Sequence, residues 1–233
     1  MVGSRTVLCF GDSNTYGAVP TLARIGRHRF APARRWTGIL QRLLGPDRQV
    51  IEEGHPSRTT VFDDPVEGAH KNGLRALPVC LESHMPIDLV IIMLGTNDLK
   101  HRFGVNPSDI ADSIEVLVKA VQKSEAGPGG AAPAAMVVAP PPILEVGWMG
   151  ELFAGGAAKS RQFGSRFKEV AARSGAAFLD AGAIVESSTV DGIHLDEDAQ
   201  RVLAGAIAEM VDGLFGARGQ TKRRPGRRRR PTN

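Results

Sequence analysis

The chain has 233 residues, 42% of them apolar, with a formal net charge of +4. That length and composition suit one soluble domain with a sizeable core, and no apolar run approaches the roughly 18 residues of a membrane helix. Two cysteines, Cys9 and Cys80, are too few for a disulfide framework or a metal motif, and the charge is uneven. Residues 216–233 carry eight Lys and Arg and no acid, which takes +8 out of the +4 total and leaves the rest of the chain at −4.

The first predicted strand covers residues 5–10 and runs into Gly11-Asp12-Ser13. It starts too early and is too short for a signal peptide, so a cytoplasmic location is expected. Residues 15–35 read as an irregular loop. Trp36 to Leu44 has helical apolar spacing and stops at Gly45-Pro46. Residues 49–52 form the second strand, and Gly54 to Thr60 a polar loop. Leu74 to His84 is a helix. Leu89 to Leu94 is a continuous apolar run suited to a strand covered on both faces. Gly95-Thr96-Asn97-Asp98 ends it. Pro107 to Lys123 is helical, residues 135–139 a fourth strand, residues 153–174 mostly helical, residues 176–180 a fifth strand, and Glu197 to Phe215 the last helix.

Five strands alternating with helices predict an α/β fold: a three-layer α/β/α sandwich around a five-stranded parallel sheet. Residues 1–215 would form the domain and 216–233 a basic, disordered tail. In such sheets the site lies beyond the carboxyl ends of the strands, and chemistry-bearing residues cluster there.

Ser13 could be a nucleophile if a base stands beside it; equally, Asp12 or Ser13 could simply cap a helix. The G-x-S-x-G elbow is absent, since Thr15 follows where glycine would be required. Asp191-Gly192-Ile193-His194 spaces an acid three residues before an imidazole, so a tight turn lets the carboxylate hold Nδ1 and leaves Nε2 as base. Ordinary turn chemistry before a helix explains the same residues. The Asn97 amide could donate to an oxyanion or to its own turn, and the loop 54–60 could add a backbone N–H. No metal-ligand cluster is present, and no cofactor or metal is expected.

Taken in order, these blocks resemble those of the SGNH (GDSL-type) hydrolases: Gly11-Asp12-Ser13, Gly95-Thr96-Asn97-Asp98 and Asp191-x-x-His194. Residues 51–54, 57–60, 88–98, 139–142 and 190–194 are similar to the bacterial arylesterase/acyltransferase branch. The resemblance implies the SGNH/flavodoxin-like hydrolase fold and a serine esterase acting on small acetyl or aryl esters. Acyl transfer to alcohols or peroxide in place of water is implied as a second activity. Ser13 would be nucleophile, His194 base and Asp191 its orienter. The oxyanion site would use the N–H groups of Ser13 and Ser57 and the side chain of Asn97, with Gly54 as second choice for the middle donor. The family most often has glycine where Ser57 stands. Asn14 and Tyr16 replace residues similar to Leu and Trp, and with Trp148, Phe153 and Ile193 they are assigned to the substrate pocket. The loop 15–35 and the segment 143–155, with Leu144, Trp148, Met149 and Phe153, read as exposed apolar stretches that serve that pocket, a homo-oligomer interface (which the resemblance also implies) or ordinary packing over the sheet edge. A carbohydrate acetylesterase is the alternative reading. Polyanion or nucleic-acid binding by the tail is a third, weighed against a merely solvated tail.

Overall fold

A computed structural model describes residues 4–23 and 28–221. In chain order the elements are β1 (Arg5–Gly11), α1 (Ser13–Tyr16), α2 (Trp36–Leu44), β2 (Arg48–Gly54), α3 (Gly73–His84), β3 (Leu89–Met93) and α4 (Pro107–Lys123). They continue with β4 (Ala134–Ala139), α5 (Gly147–Leu152), α6 (Gly156–Ser160), α7 (Phe163–Ser174), β5 (Ala177–Asp180) and α8 (Glu197–Thr221).

All strand pairs are parallel, and the order across the sheet is β2-β1-β3-β4-β5. The chain leaves β1 toward one edge for β2 and returns past it to β3. The carboxyl ends of β1 and β3 therefore flank the point where strand order reverses, the place where open parallel sheets bind ligands.

The apolar runs of the central strands sort by alternation into two cores. Leu8, Phe10, Val90, Ile92, Val137 and Ala139 face α3, α4 and α7, whereas Val7, Cys9, Leu89, Ile91, Met93, Met136 and Val138 face α2 and α8. Period-two alternation makes both faces of one strand bury simultaneously. α8 supplies Leu203, Ala204, Ile207, Val211 and Phe215 at helical spacing to the second core. The result is the three-layer α/β/α arrangement that the sequence predicts.

Differences fall outside the core strands. The predicted helical stretch 153–174 is two helices, α6 and α7, and a further short helix, α5, precedes it at Gly147–Leu152. Gly155, at φ 80°, cannot continue a right-handed helix and separates α5 from α6. Phe153, read as an exposed apolar residue, is buried in the first core. α8 runs beyond the predicted end at Phe215, to Thr221. The expected basic tail lies, from Lys222 onward, outside the described residues. Among the described residues no helix is long and apolar enough to cross a membrane.

Candidate active site

β1 delivers the chain into α1 through Gly11 and Asp12. Asp12 is the N-cap: its Oδ1 accepts the Asn14 N–H at 3.0 Å. Ser13 is the first helical residue, so the helix's own ladder gives its N–H no partner. Both readings of this tripeptide therefore meet, because Asp12 caps the turn and Ser13 is presented by it.

The loop before α8 brings the other end of the chain to this turn. Asp191 Oδ1 accepts the N–H groups of Ile193 and His194, each at 3.0 Å. Gly192 sits at φ 78° between them, a value L side chains rarely adopt, and a Cβ there would collide with the Leu144 carbonyl. The turn leaves Asp191 Oδ2 2.7 Å from His194 Nδ1, and His194 Nε2 lies 3.0 Å from Ser13 Oγ. The Thr21 N–H also donates to Asp191 Oδ2, at 3.0 Å. Burial would push the Asp191 carboxyl up, but the His194 ring, its charge and the backbone donors outweigh it and hold the group below the ordinary carboxylate range. Acid, imidazole and hydroxyl thus stand in one hydrogen-bonded line, able to move a proton off Ser13 and return it to a leaving group.

The loop after β3 places Asn97 at the same spot. Its Nδ2 donates to Asp12 Oδ2 at 3.3 Å, which uses one of two amide hydrogens. Burial pushes the Asp12 carboxyl up to about 6, against the Asn14 N–H and the charges of His194 and Arg58. Asp98 is likewise pushed up to about 6 by burial. Thr60 donates to Asp98 through both N–H and hydroxyl, tying the loop after β2 to the loop after β3.

Ser57 is the one non-glycine at positive φ among the described residues, at 65°. That left-handed conformation is one glycine adopts freely and serine adopts only at a cost. Gly54, the second choice for the middle donor, lies elsewhere. It ends β2, opposite Gly11, and a Cβ there would collide with the Tyr16 backbone nitrogen. Its glycine serves close packing of α1 on β2, and it is absent from the cavity wall.

The cavity has a volume of about 280 Å³ and includes Ser13, Ser57, Asn97 and His194 on its wall. Of the pocket residues assigned from sequence, Tyr16, Trp148, Phe153 and Ile193 line it. Asn14 does not. It is 2% exposed and its side chain turns away to the His194 loop. Sequence reasoning missed Glu67 and Lys100, which also line the cavity, as an ion pair. Lys100, three residues after Asn97, carried no signal of its own. The sequence places 143–155 at the pocket but not as a helix; α5 brings Trp148, Met149 and Leu152 to the cavity wall, and their one-and-four spacing was the available clue.

Comparison with known proteins follows from this geometry. The model of the GDSL-like lipase/acylhydrolase family matches residues 9–202. The chain is similar to the aryl esterase of M. smegmatis: 44% identity over 90% of this chain and 99% of that one, with a TM-score of 0.86. It is similar to a carbohydrate acetylesterase from Sinorhizobium meliloti at 41% identity, over 91% of this chain and 100% of that one, also with a TM-score of 0.86. A second carbohydrate acetylesterase family member from Sinorhizobium meliloti shares 34% identity over 91% and 99%, with a TM-score of 0.84. Among curated proteins, none matches.

Proposed function

The chain belongs to the GDSL-like lipase/acylhydrolase family, and on that premise we propose that it is a serine esterase of small, short-chain esters working through an acyl-enzyme on Ser13. The observation that carries this reading is the line Asp191–His194–Ser13, at 2.7 and 3.0 Å, on a cavity of about 280 Å³.

Ser13 Oγ attacks the ester carbonyl carbon while its proton passes to His194 Nε2. The carbonyl oxygen becomes an oxyanion, met by the N–H groups of Ser13 and Ser57 and by the Asn97 amide. His194 then gives the proton to the leaving alcohol as the C–O bond breaks. Water attacks the acyl-enzyme by the same route reversed, with His194 taking its proton and returning it to Ser13. An alcohol or peroxide in place of water gives acyl transfer, which the family resemblance supports along with self-association.

Asn97→Ala is expected to lower kcat roughly 10²–10³-fold with KM little changed, because the amide meets charge that develops only in the transition state. Steady-state kinetics on p-nitrophenyl acetate reads the split, and a loss confined to KM would count against the role.

The cavity, at about 280 Å³, stands at the lower edge of the ~300–1,000 Å³ of drug-sized sites, and with the family resemblance this favours a short acyl group. Along p-nitrophenyl acetate, butyrate and octanoate, kcat/KM is expected to fall about tenfold or more, some 1.4 kcal/mol of transition-state binding. A preference for octanoate would sink the short-chain reading. Acetylated xylose and xylan belong in the same panel. The Glu67 carboxylate on the cavity wall is a quarter exposed beside Lys100 and can accept from a sugar hydroxyl, which favours carbohydrate deacetylation as the second reading. Acetate release from those sugars at rates matching the aryl ester would make it the first.

A further inference from the structure

Asn14 is one peptide bond from Ser13, yet its side chain is spent on the other end of the chain. Its Nδ2 donates to the Ile193 carbonyl at 3.1 Å, and its Oδ1 accepts the Leu195 N–H at 3.1 Å. Both bonds are buried, and the two groups they hold lie immediately before and after His194. A planar amide that donates on one side and accepts on the other fixes both the distance and the orientation of the segment it grips. The Asn14 N–H is itself held by Asp12 Oδ1.

The His194 loop has other bonds, but they act within it or toward a different segment. Asp191 accepts from Ile193 and His194, the Ser188 N–H donates to the His194 carbonyl, and the Gly192 N–H to the Ser188 carbonyl. The Thr21 N–H reaches Asp191. None of these grips α1. The internal shape of the loop therefore survives without Asn14, and Ile193 and Leu195 pack into the two cores, whereas among the described residues the hydrogen bonds that set it against α1 are those of the Asn14 amide and the His194–Ser13 bond itself.

We propose that Asn14 is a positioning residue, a clasp from the nucleophile turn that holds the His194 imidazole in register with Ser13 Oγ. The proposal rests on the assignment of Ser13 as nucleophile and His194 as base. Asn14 is absent from the cavity wall, so it acts through His194 and not on the ester.

The test is Asn14→Leu, which keeps the approximate size and removes both hydrogen-bonding groups. Circular dichroism and thermal melting establish that the variant is folded at the assay temperature. With p-nitrophenyl acetate, kcat is expected to fall about tenfold or more, since small misplacement of a catalytic group is costly. The competitive inhibition constant of phenol should stay within about twofold of wild type, because ground-state binding is untouched. A folded Asn14→Leu enzyme with wild-type kcat overturns the clasp, and so does a shift in the phenol constant with kcat retained. If Asn14→Leu does not fold, Asn14→Asp keeps the acceptor toward Leu195 and loses the donor toward Ile193; the same fall in kcat is expected and its absence is equally decisive. Wild type and Ser13→Ala are run beside it. Ser13→Ala turning over within about tenfold of wild type overturns the catalytic assignment and the clasp with it, an outcome distinct from a fully active Asn14 variant in an enzyme that needs Ser13.

Discussion

Ser13→Ala is expected to lower kcat for p-nitrophenyl acetate by about 10⁵–10⁶-fold. The size follows from what else could replace the hydroxyl. The Cys9 thiol is buried in the second core and burial holds it protonated, well above its ordinary range. Burial and Glu53 push Cys80, on α3, up to about 11. Ser57 lines the cavity, but its hydroxyl is engaged by the Glu67 carboxylate rather than by an imidazole. Ser13 Oγ is the hydroxyl that stands 3.0 Å from His194 Nε2. The alanine variant keeps Asn97 and the backbone donors, so a residual rate above uncatalysed hydrolysis is expected. Rapid quench and mass spectrometry add a second reading: wild type should carry an acetyl group during turnover and the variant none. A variant that still turns over with an acetyl adduct would move the nucleophile elsewhere.

The parts of this molecule that are legible in sequence are those whose partners are near in sequence or whose pattern repeats. β3 announces itself by five consecutive apolar residues, and α2 and α4 by spacing and stop signals that the structure reproduces at Trp36–Leu44 and Pro107–Lys123. Asp191 and His194 are three residues apart, so one turn suffices to join them. Asn14 shows the opposite case. Its position beside the nucleophile suggests a pocket wall, but the direction of its side chain is set by groups 179 and 181 residues away. Residues 15–35 have no periodicity, and what organises the described ones beyond α1 is tertiary: the Ala18–Arg29 bridge and the Thr21 N–H on Asp191. The broken helices at 147–174 were hidden because Gly155 and its neighbours look alike in a start and in a break. A mixed site of this kind, part local turn and part long-range clasp, is readable only in its local half.

Asp191→Asn is the sharper test of that local half, with an expected fall in kcat of about 10⁴-fold. Four donors converge on the carboxylate: the N–H groups of Ile193 and His194 on Oδ1, and His194 Nδ1 and the Thr21 N–H on Oδ2. An amide has one oxygen for this set. Backbone N–H groups cannot reverse their polarity, so the oxygen is best placed on the side of Ile193 and His194, which turns the NH₂ toward the ring. The imidazole answers by moving its proton to Nε2 and offering the Nδ1 lone pair. Nε2–H then points at Ser13 Oγ and cannot take its proton. Because Asp191 is not on the cavity wall, ground-state binding of the ester should change little. The carboxyl is held below its ordinary range in the fold, so it stabilises the protein above the unfolded-state pKa, an effect lost as pH falls through the folded one. Asp191→Asn should therefore melt lower than wild type at neutral pH and approach it in acid. Kinetics per folded molecule separates this from catalysis: a loss under about tenfold would mean that the turn and the Thr21 N–H orient the ring without the carboxylate's charge.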